Sequence, residues 1–174
     1  MNKVADPSSP ADCIREGYQP GCIGDVASLH ARFYARASGF GVFFERKVAA
    51  ELGDFAQSLP ASGKALWLYL DHGRTLASIA IDGDEQARVA HLRWFIVDES
   101  LHGRGVGRAL LAHALDFVDA RFDETYLWTF KGLDAARHLY ESHGFRLTDE
   151  AEGSQWGRAV VEQRFSRRRV GIGS

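Results

Sequence analysis

The sequence predicts an α/β protein of the α+β kind: a mixed, mostly antiparallel sheet of about seven strands, about four helices and one parallel βαβ crossover. Three observations carry this expectation. Residues 65–97 hold three strand-like runs separated by short turns, the pattern of an antiparallel meander. A glycine-bearing loop and an amphipathic helix then lead to another strand, and strand, helix and strand in succession make the two strands parallel. The 174 residues are 45% hydrophobic and 25% charged, enough apolar side chain for one core.

The elements follow in order. Residues 1–11, with two prolines and no apolar run, read as a flexible tail, and Cys13 to Tyr18 as a first strand ended by Gln19-Pro20-Gly21. Asp25 is expected to cap a helix on which Val26, Leu29, Phe33 and Ala37 recur at helical spacing, with Gly39 as its left-handed stop. Phe44, Val48, Leu52, Phe55 and Leu59 keep the same period until Pro60 ends a second helix. Ala65 to Leu70 and Leu76 to Ile81 form a hairpin around Asp71-His72-Gly73-Arg74, and a turn at 82–85 leads into a long strand, Ala87 to Val97.

Val106, Leu110, Leu111, Ala114, Leu115 and Val118 then mark a helix over 105–120, followed by a strand from Thr125 to Phe130. Asp134 is expected to cap a last helix that Gly144 terminates, before strands at 145–148 and 159–165. No repeat or low-complexity linker divides the chain, so residues 12–168 read as one domain and 169–174 as a tail. Arg167, Arg168 and Arg169 read as a solvated run after the last strand.

Composition narrows the function. The net charge of −2 offers no field for nucleic acid or an anionic membrane, and neither partner is expected. Two cysteines without a CxxC pair suggest no disulfide framework and no zinc site. His138 and His143 lie five apart, off a common helical face, and no HExxH occurs, so no metal is expected. No apolar run approaches the ~20 residues of a spanning helix, and the N-terminus lacks a signal sequence, which points to a soluble cytoplasmic protein.

The chemistry concentrates between Trp94 and Leu110, which read as a strand, a loop with glycines at 103, 105 and 107, and a helix start. Alternate glycines let the backbone approach a ligand closely, and the first amides of a helix suit phosphate oxygens. A P-loop is excluded because no lysine precedes Ser or Thr, and Lys131 is followed by Gly132. A dinucleotide fingerprint fails as well, because Arg108 or Leu110 stands where the third small residue belongs. Gly153-Ser154-Gln155-Trp156-Gly157 is not the GxSxG turn of a serine hydrolase.

The run His102-Gly103-Arg104-Gly105-Val106-Gly107 resembles the pyrophosphate loop, Gln/Arg-x-x-Gly-x-Gly/Ala, of the GCN5-related N-acetyltransferase (GNAT) family, with His102 in place of the usual Arg or Gln. Ala136 to Phe145 is similar to the family's A-x-x-L-Y-x-x-x-G-F helix and turn. The likeness runs from about Cys13 to Phe165. Tyr126 to Phe130 with Gln155-Trp156-Gly157 resembles a subgroup, the acetyltransferase half of bacterial fusions whose other half is a MarR-type winged helix. The dozen residues before the first strand are too few for that second half.

The resemblance implies a GNAT-like sheet, acetyl-CoA as co-substrate and transfer of its acetyl group to a primary amine of a small molecule or protein. It implies that the backbone of Phe95, Ile96 and Val97 pairs with the pantetheine arm. The amides of Gly103, Arg104, Gly105, Val106, Gly107 and Arg108 would then hold the pyrophosphate with His102, while Thr129, Ala136 and Arg137 complete the cofactor site. Tyr140 matches the tyrosine that protonates the leaving thiolate. For the base, Glu45 is a candidate beside Asp98, Glu99 and solvent. Phe40, Phe43, Phe44, Trp67, Trp94 and Trp128 either line an acceptor cleft or pack in the core. A non-catalytic acetyl-CoA-binding regulatory module is the alternative, and exposed edge strands leave a monomer or a homodimer.

Overall fold

The computed structural model describes residues 9–171, so the expected tails over 1–11 and 169–174 fall partly outside the described residues. In chain order the elements are β1 (Ile14–Glu16), α1 (Cys22–Ser38), α2 (Val42–Gln57), β2 (Lys64–Asp71), β3 (Arg74–Asp84) and β4 (Val89–Val97). They continue with α3 (Val106–Asp119), β5 (Glu124–Phe130), α4 (Asp134–Ser142), β6 (Arg146–Gly153) and β7 (Val160–Arg168). One seven-stranded sheet runs β1-β2-β3-β4-β5-β7-β6, and β4 with β5 is its parallel pair. This is the expected mixed sheet with its crossover through α3.

The sheet separates two apolar layers. Leu110, Leu111, Ala114 and Val118 of α3, with Tyr140 and Phe145, pack against Trp67, Ile79, Leu92 and Leu127 on one face. On the other, Val26 of α1 and Phe44, Val48, Leu52 and Phe55 of α2 pack against Leu66, Leu68, Trp94 and Phe130. The i, i+4 spacing of the helical residues thus becomes a buried stripe on each helix. At the β2–β3 turn His72 and Gly73 both take positive φ, 46° and 76°, which matches the twist of a two-residue hairpin.

Three local expectations are corrected. Asp25 does not cap α1, which begins at Cys22 after a left-handed Gly21; its carboxylate accepts bonds from Arg74 Nε and the Thr75 amide, both at 3.0 Å, and so ties α1 to β3. Asp134 is the first helical residue of α4 and makes no capping bond. The arginine run is not a solvated tail: β7 continues to Arg168 because Arg167 and Arg168 pair with Thr125 and Glu124. Strand limits also shift, with β1 shortened to three residues and β6 extended to Gly153, where pairing with β7 sustains it despite exposed side chains.

Arg167 is 7% exposed and grips Asp119 at the end of α3 through two bonds, 2.6 and 2.9 Å, while its Nε donates to the His143 carbonyl at 3.0 Å. Hydrogen bonds to a charged group contribute about 2 kcal/mol each way the pair is broken, so Asp119→Ala is expected to lower unfolding stability by about 2 kcal/mol. A urea midpoint equal to that of the parent would show that Arg167 is satisfied without it.

Candidate active site

β4 and β5 pair only over Val89–Glu124, Ala90–Thr125 and His91–Tyr126, and beyond these three rungs the strands part. A bulge opens the gap. β4 carries a bulge opposite Ser78 to Ala80, where Trp94 takes φ 46° and its carbonyl accepts a 2.6 Å bond from the Ser78 hydroxyl. The parted strands then border a cleft of about 1200 Å³ that passes from the α3–α4 side of the sheet to the α1–α2 side.

At one end of the cleft the chain leaves β4 through a short 3₁₀ turn, Glu99–Leu101, and enters α3 through the glycine loop. Gly103 and Gly105 take φ 76° and 78°, a left-handed conformation that a Cβ would strain. Their missing Cβ atoms would face open space, so the loop backbone is bare toward the cleft. Gly105 caps α3 without a side-chain bond, which leaves the first amides of the helix available to an anion. His102 Nε2 donates to the Val97 carbonyl at 3.2 Å and braces the loop against the end of β4.

Of the residues expected in the cofactor site, Phe95, Ile96, Val97, His102, Gly103, Gly105, Val106, Gly107, Arg108, Thr129 and Ala136 line this cleft. Arg104 and Arg137 stand outside the lining; Arg137 pairs with Glu141 at 2.9 Å and lies over the Phe165 ring. Tyr140 projects from α4 into the cleft with its ring between Phe95 and Phe145, at centroid distances of 6.1 and 5.9 Å. Burial holds its hydroxyl well above the usual tyrosine pKa, and Tyr34 adds in the same direction.

The carboxylates considered as bases are not brought to this lining. Glu45 is exposed on α2, Glu99 pairs with Arg36 at 2.8 Å, and Asp98 accepts from the Ser100 amide at 2.9 Å. Hydrogen bonds from Ser100 also hold the Asp98 carboxyl below its ordinary pKa.

Other groups occupy the α1–α2 side. His30 is buried, its Nδ1 donates to the Val26 carbonyl at 2.9 Å, and burial lowers its pKa to about 4. The imidazole is therefore neutral at pH 7, with the Nε2 lone pair left over. Tyr34 stacks beside it at 6.1 Å and is pushed up to about 12 by burial. Farther along, Lys47 and Arg93 both pair with Glu51, Lys47 at 2.5 Å. Burial raises the Glu51 pKa, but the bonds and charges of Lys47 and Arg93 prevail and lower it.

Of the expected aromatic set, Phe44, Trp94 and Trp128 line the cleft, whereas Trp67 packs under α3 on the opposite face. Phe33, Tyr34, Phe130 and Trp156 complete the wall, although the sequence assigned none of them to an acceptor cleft. Phe33, Tyr34 and Phe130 have the helical or alternating spacing of ordinary core residues, and Trp156 lies in the turn between β6 and β7, where periodicity says nothing of its contacts.

Comparison with known proteins agrees with this geometry. Residues 28–145, more than half of the chain, match the model of the acetyltransferase (GNAT) family. The chain is 27% identical over 127 residues to the N-acetylaspartate synthetases of Xenopus tropicalis and Homo sapiens, covering 72% of this chain and 47% and 42% of theirs. It thus spans less than half the length of these relatives. Among solved structures it is similar to the Salmonella typhimurium protein yncA with its cofactor acetyl-CoA, with a TM-score of 0.72 at 15% identity, covering 92% of this chain and 95% of that one. The ribosomal-protein-S18-alanine N-acetyltransferase of Escherichia coli gives 0.66 at 19% identity, covering 92% and 97%. The structural likenesses speak to the fold, and the matched sequence model to kinship: the chain belongs to the GNAT family of acetyltransferases.

Proposed function

We propose that this protein transfers the acetyl group of acetyl-CoA to a primary amine by direct attack of the amine. One observation carries the proposal: the parted strands β4 and β5, the bare glycine loop at the start of α3 and the hydroxyl of Tyr140 border a single cleft. Acetyl-CoA supplies the activated thioester when bound. The amides of Gly103 and of Gly105 to Arg108 meet its phosphates, with Arg108 adding charge, while the Arg104 amide is held by the Leu101 carbonyl and the edge of Phe95 to Val97 pairs with the amide-bearing arm like an added strand. Thr129 and Ala136 border the same path from β5 and α4.

An alkylammonium group has a pKa of about 10.4 and must lose its proton before attack. Water in the open cleft carries that proton to solvent, and the neutral imidazole of His30, which lines the cleft where the exposed Glu45 does not, offers Nε2 as a hydrogen-bond acceptor that orients the amine. Charge that develops on the carbonyl oxygen is met by backbone N–H of the bulged strand around Phe95. Tyr140 retains its proton at neutral pH and delivers it to the leaving sulfur.

The relatives' name, N-acetylaspartate synthetase, supports an amine acceptor. Tyr126 to Phe130 and Gln155 to Gly157, which carry the likeness to the MarR-fusion subgroup, lie on β5 and in the β6–β7 connection; Trp128, Phe130, Gln155 and Trp156 among them wall the acceptor side. Among the described residues no helix is long and apolar enough to cross a membrane. Free Cys13 and Cys22 support a reducing, cytoplasmic location, and the exposed edge strand β6 suits a monomer or a strand-paired homodimer.

A thermal melt tests the cofactor. Acetyl-CoA at about 100 times its Kd stabilises by about 2.7 kcal/mol, which for a domain of this size raises Tm by roughly 5 to 10 °C. NAD and ATP should do less. No shift with millimolar acetyl-CoA would remove the catalytic reading, and a selective rise without acetyl-CoA consumption across an amine panel would leave a binding module.

A further inference from the structure

The acceptor half of the cleft carries a small and unbalanced set of charges. Lys47, Glu51 and Arg93 are its charged side chains; Asp134 and Arg108, the remaining ones in the lining, belong to α4 and α3 at the cofactor end. His30 and His91 are neutral there, because burial is the leading cause that lowers each pKa, to about 4 and about 3. Two cations therefore face one carboxylate.

Hydrogen-bond capacity shows the same excess. An ammonium and a guanidinium together present eight N–H donors. Glu51 takes one bond from each, its Oε1 from Lys47 at 2.5 Å and its Oε2 from Arg93 Nη2. Asp82 lies 3.9 Å from Arg93 Nη1, but it is outside the cleft lining and is shared with Lys64 at 3.3 Å. Both cations are partly open, with 31% of the Lys47 side chain and 24% of Arg93 exposed.

Position completes the case. The Arg93 guanidinium lies 4.1 Å from the centroid of the Trp94 ring, so it is folded along β4 toward the point where the strands part. The Trp94 ring offers the guanidinium an apolar surface that leaves its N–H donors other than the one on Glu51 able to bond, and such a planar fork suits a carboxylate. A second ammonium on the acceptor, as in a polyamine, would find only Glu51, which is already engaged by two cations.

We propose that the acceptor is a small amine that also carries a carboxylate, an amino acid in chemical class, held at its carboxylate by Arg93 and Lys47 beside the parted strands. This rests on the acetyl-transfer reading for the amine but not for the carboxylate site, and the two can fail separately.

The carboxylate site is tested with CoA-loaded protein and a probe that has no amine. Succinate at about 10 mM is expected to raise Tm where succinamide does not, and Arg93→Met or Lys47→Met to abolish the difference. Turnover is then compared as the ratio of kcat/KM for aspartate, glutamate or glycine to that for the matching carboxyl-free amide. Removing one charged donor should lower this ratio roughly 10- to 100-fold. Glu51→Gln should change it in the opposite direction, because it frees both cations; a cluster that only supports the fold would show the same loss for all three variants. No succinate effect, or equal use of acids and amides by the parent enzyme, overturns the proposal while leaving acetyl transfer intact. Succinate binding that Arg93→Met removes, without turnover of any amine, upholds the site and strikes at the acetyl-transfer reading instead.

Discussion

Tyr140→Phe is expected to slow acetyl transfer roughly 10²- to 10⁴-fold, the usual worth of a general acid, with the lower end favoured because a thiolate already leaves readily. The substitution suits the test. The Tyr140 ring is buried among Phe95, Phe145 and Phe165, so phenylalanine preserves the packing and removes only the hydroxyl. Stability and the acetyl-CoA-induced rise in Tm should therefore stay near parental values while single-turnover rates fall. Parental turnover would strip Tyr140 of the role and leave it as a core residue at the cleft wall.

Acidification should weaken the fold by a comparable free energy. His30 and His91 are neutral in the folded protein, with pKa values lowered to about 4 and about 3, chiefly by burial. Arg93 and Arg164 add to the effect at His91, Glu51 opposes it, and the ring stacks on Tyr126 at 4.5 Å. In the unfolded chain both titrate near 6.5. The stability they permit is complete above pH 6.5 and is lost as pH falls toward the folded values, because only the unfolded state then takes up their protons.

The loss amounts to about 3 kcal/mol for His30 and about 5 kcal/mol for His91, at 1.36 kcal/mol per pKa unit. Together these approach the whole stability of about 5–15 kcal/mol of an ordinary domain. Urea unfolding at intervals between pH 7.5 and 4.5 should show a slope of about two protons, reduced by one in His30→Gln and by one in His91→Gln. A flat profile would mean that these rings reach solvent in the folded state.

Most of the scaffold was legible because its signals are local. The 3.6-residue stripes on α1, α2 and α3 and the turn residues of the β2–β3 hairpin each depend on neighbours a few positions apart. The glycine loop and Tyr140 were legible for the same reason, as contiguous motifs. What escaped is the acceptor wall, where His30 on α1, Glu51 on α2 and Arg93 on β4 meet only through the fold. In the sequence, Glu51 and Arg93 look like polar positions on amphipathic elements, and His30 like one more residue of a helix. The arginines at 167–169 were misjudged because three successive cations suggest solvent until Asp119 is brought to Arg167.

The bulge at Trp94 bears on which changes this site can survive. Ala90 and Leu92 face the α3 side of the sheet, Trp94 faces the α1–α2 side, and Phe95 packs back toward α3. Before the bulge even-numbered residues point to α3, and after it odd-numbered ones do. The geometry of the cleft thus resides in the count of residues along β4 as well as in their kinds. Loss of a residue at the bulge would restore simple alternation and straighten the strand that must part from β5, and loss of one elsewhere along β4 would turn every side chain on one side of the deletion to the opposite face. Single-residue deletions scanned along β4 should accordingly be harsher than conservative replacements at the same positions, which makes this strand tolerant of spelling changes and intolerant of frame.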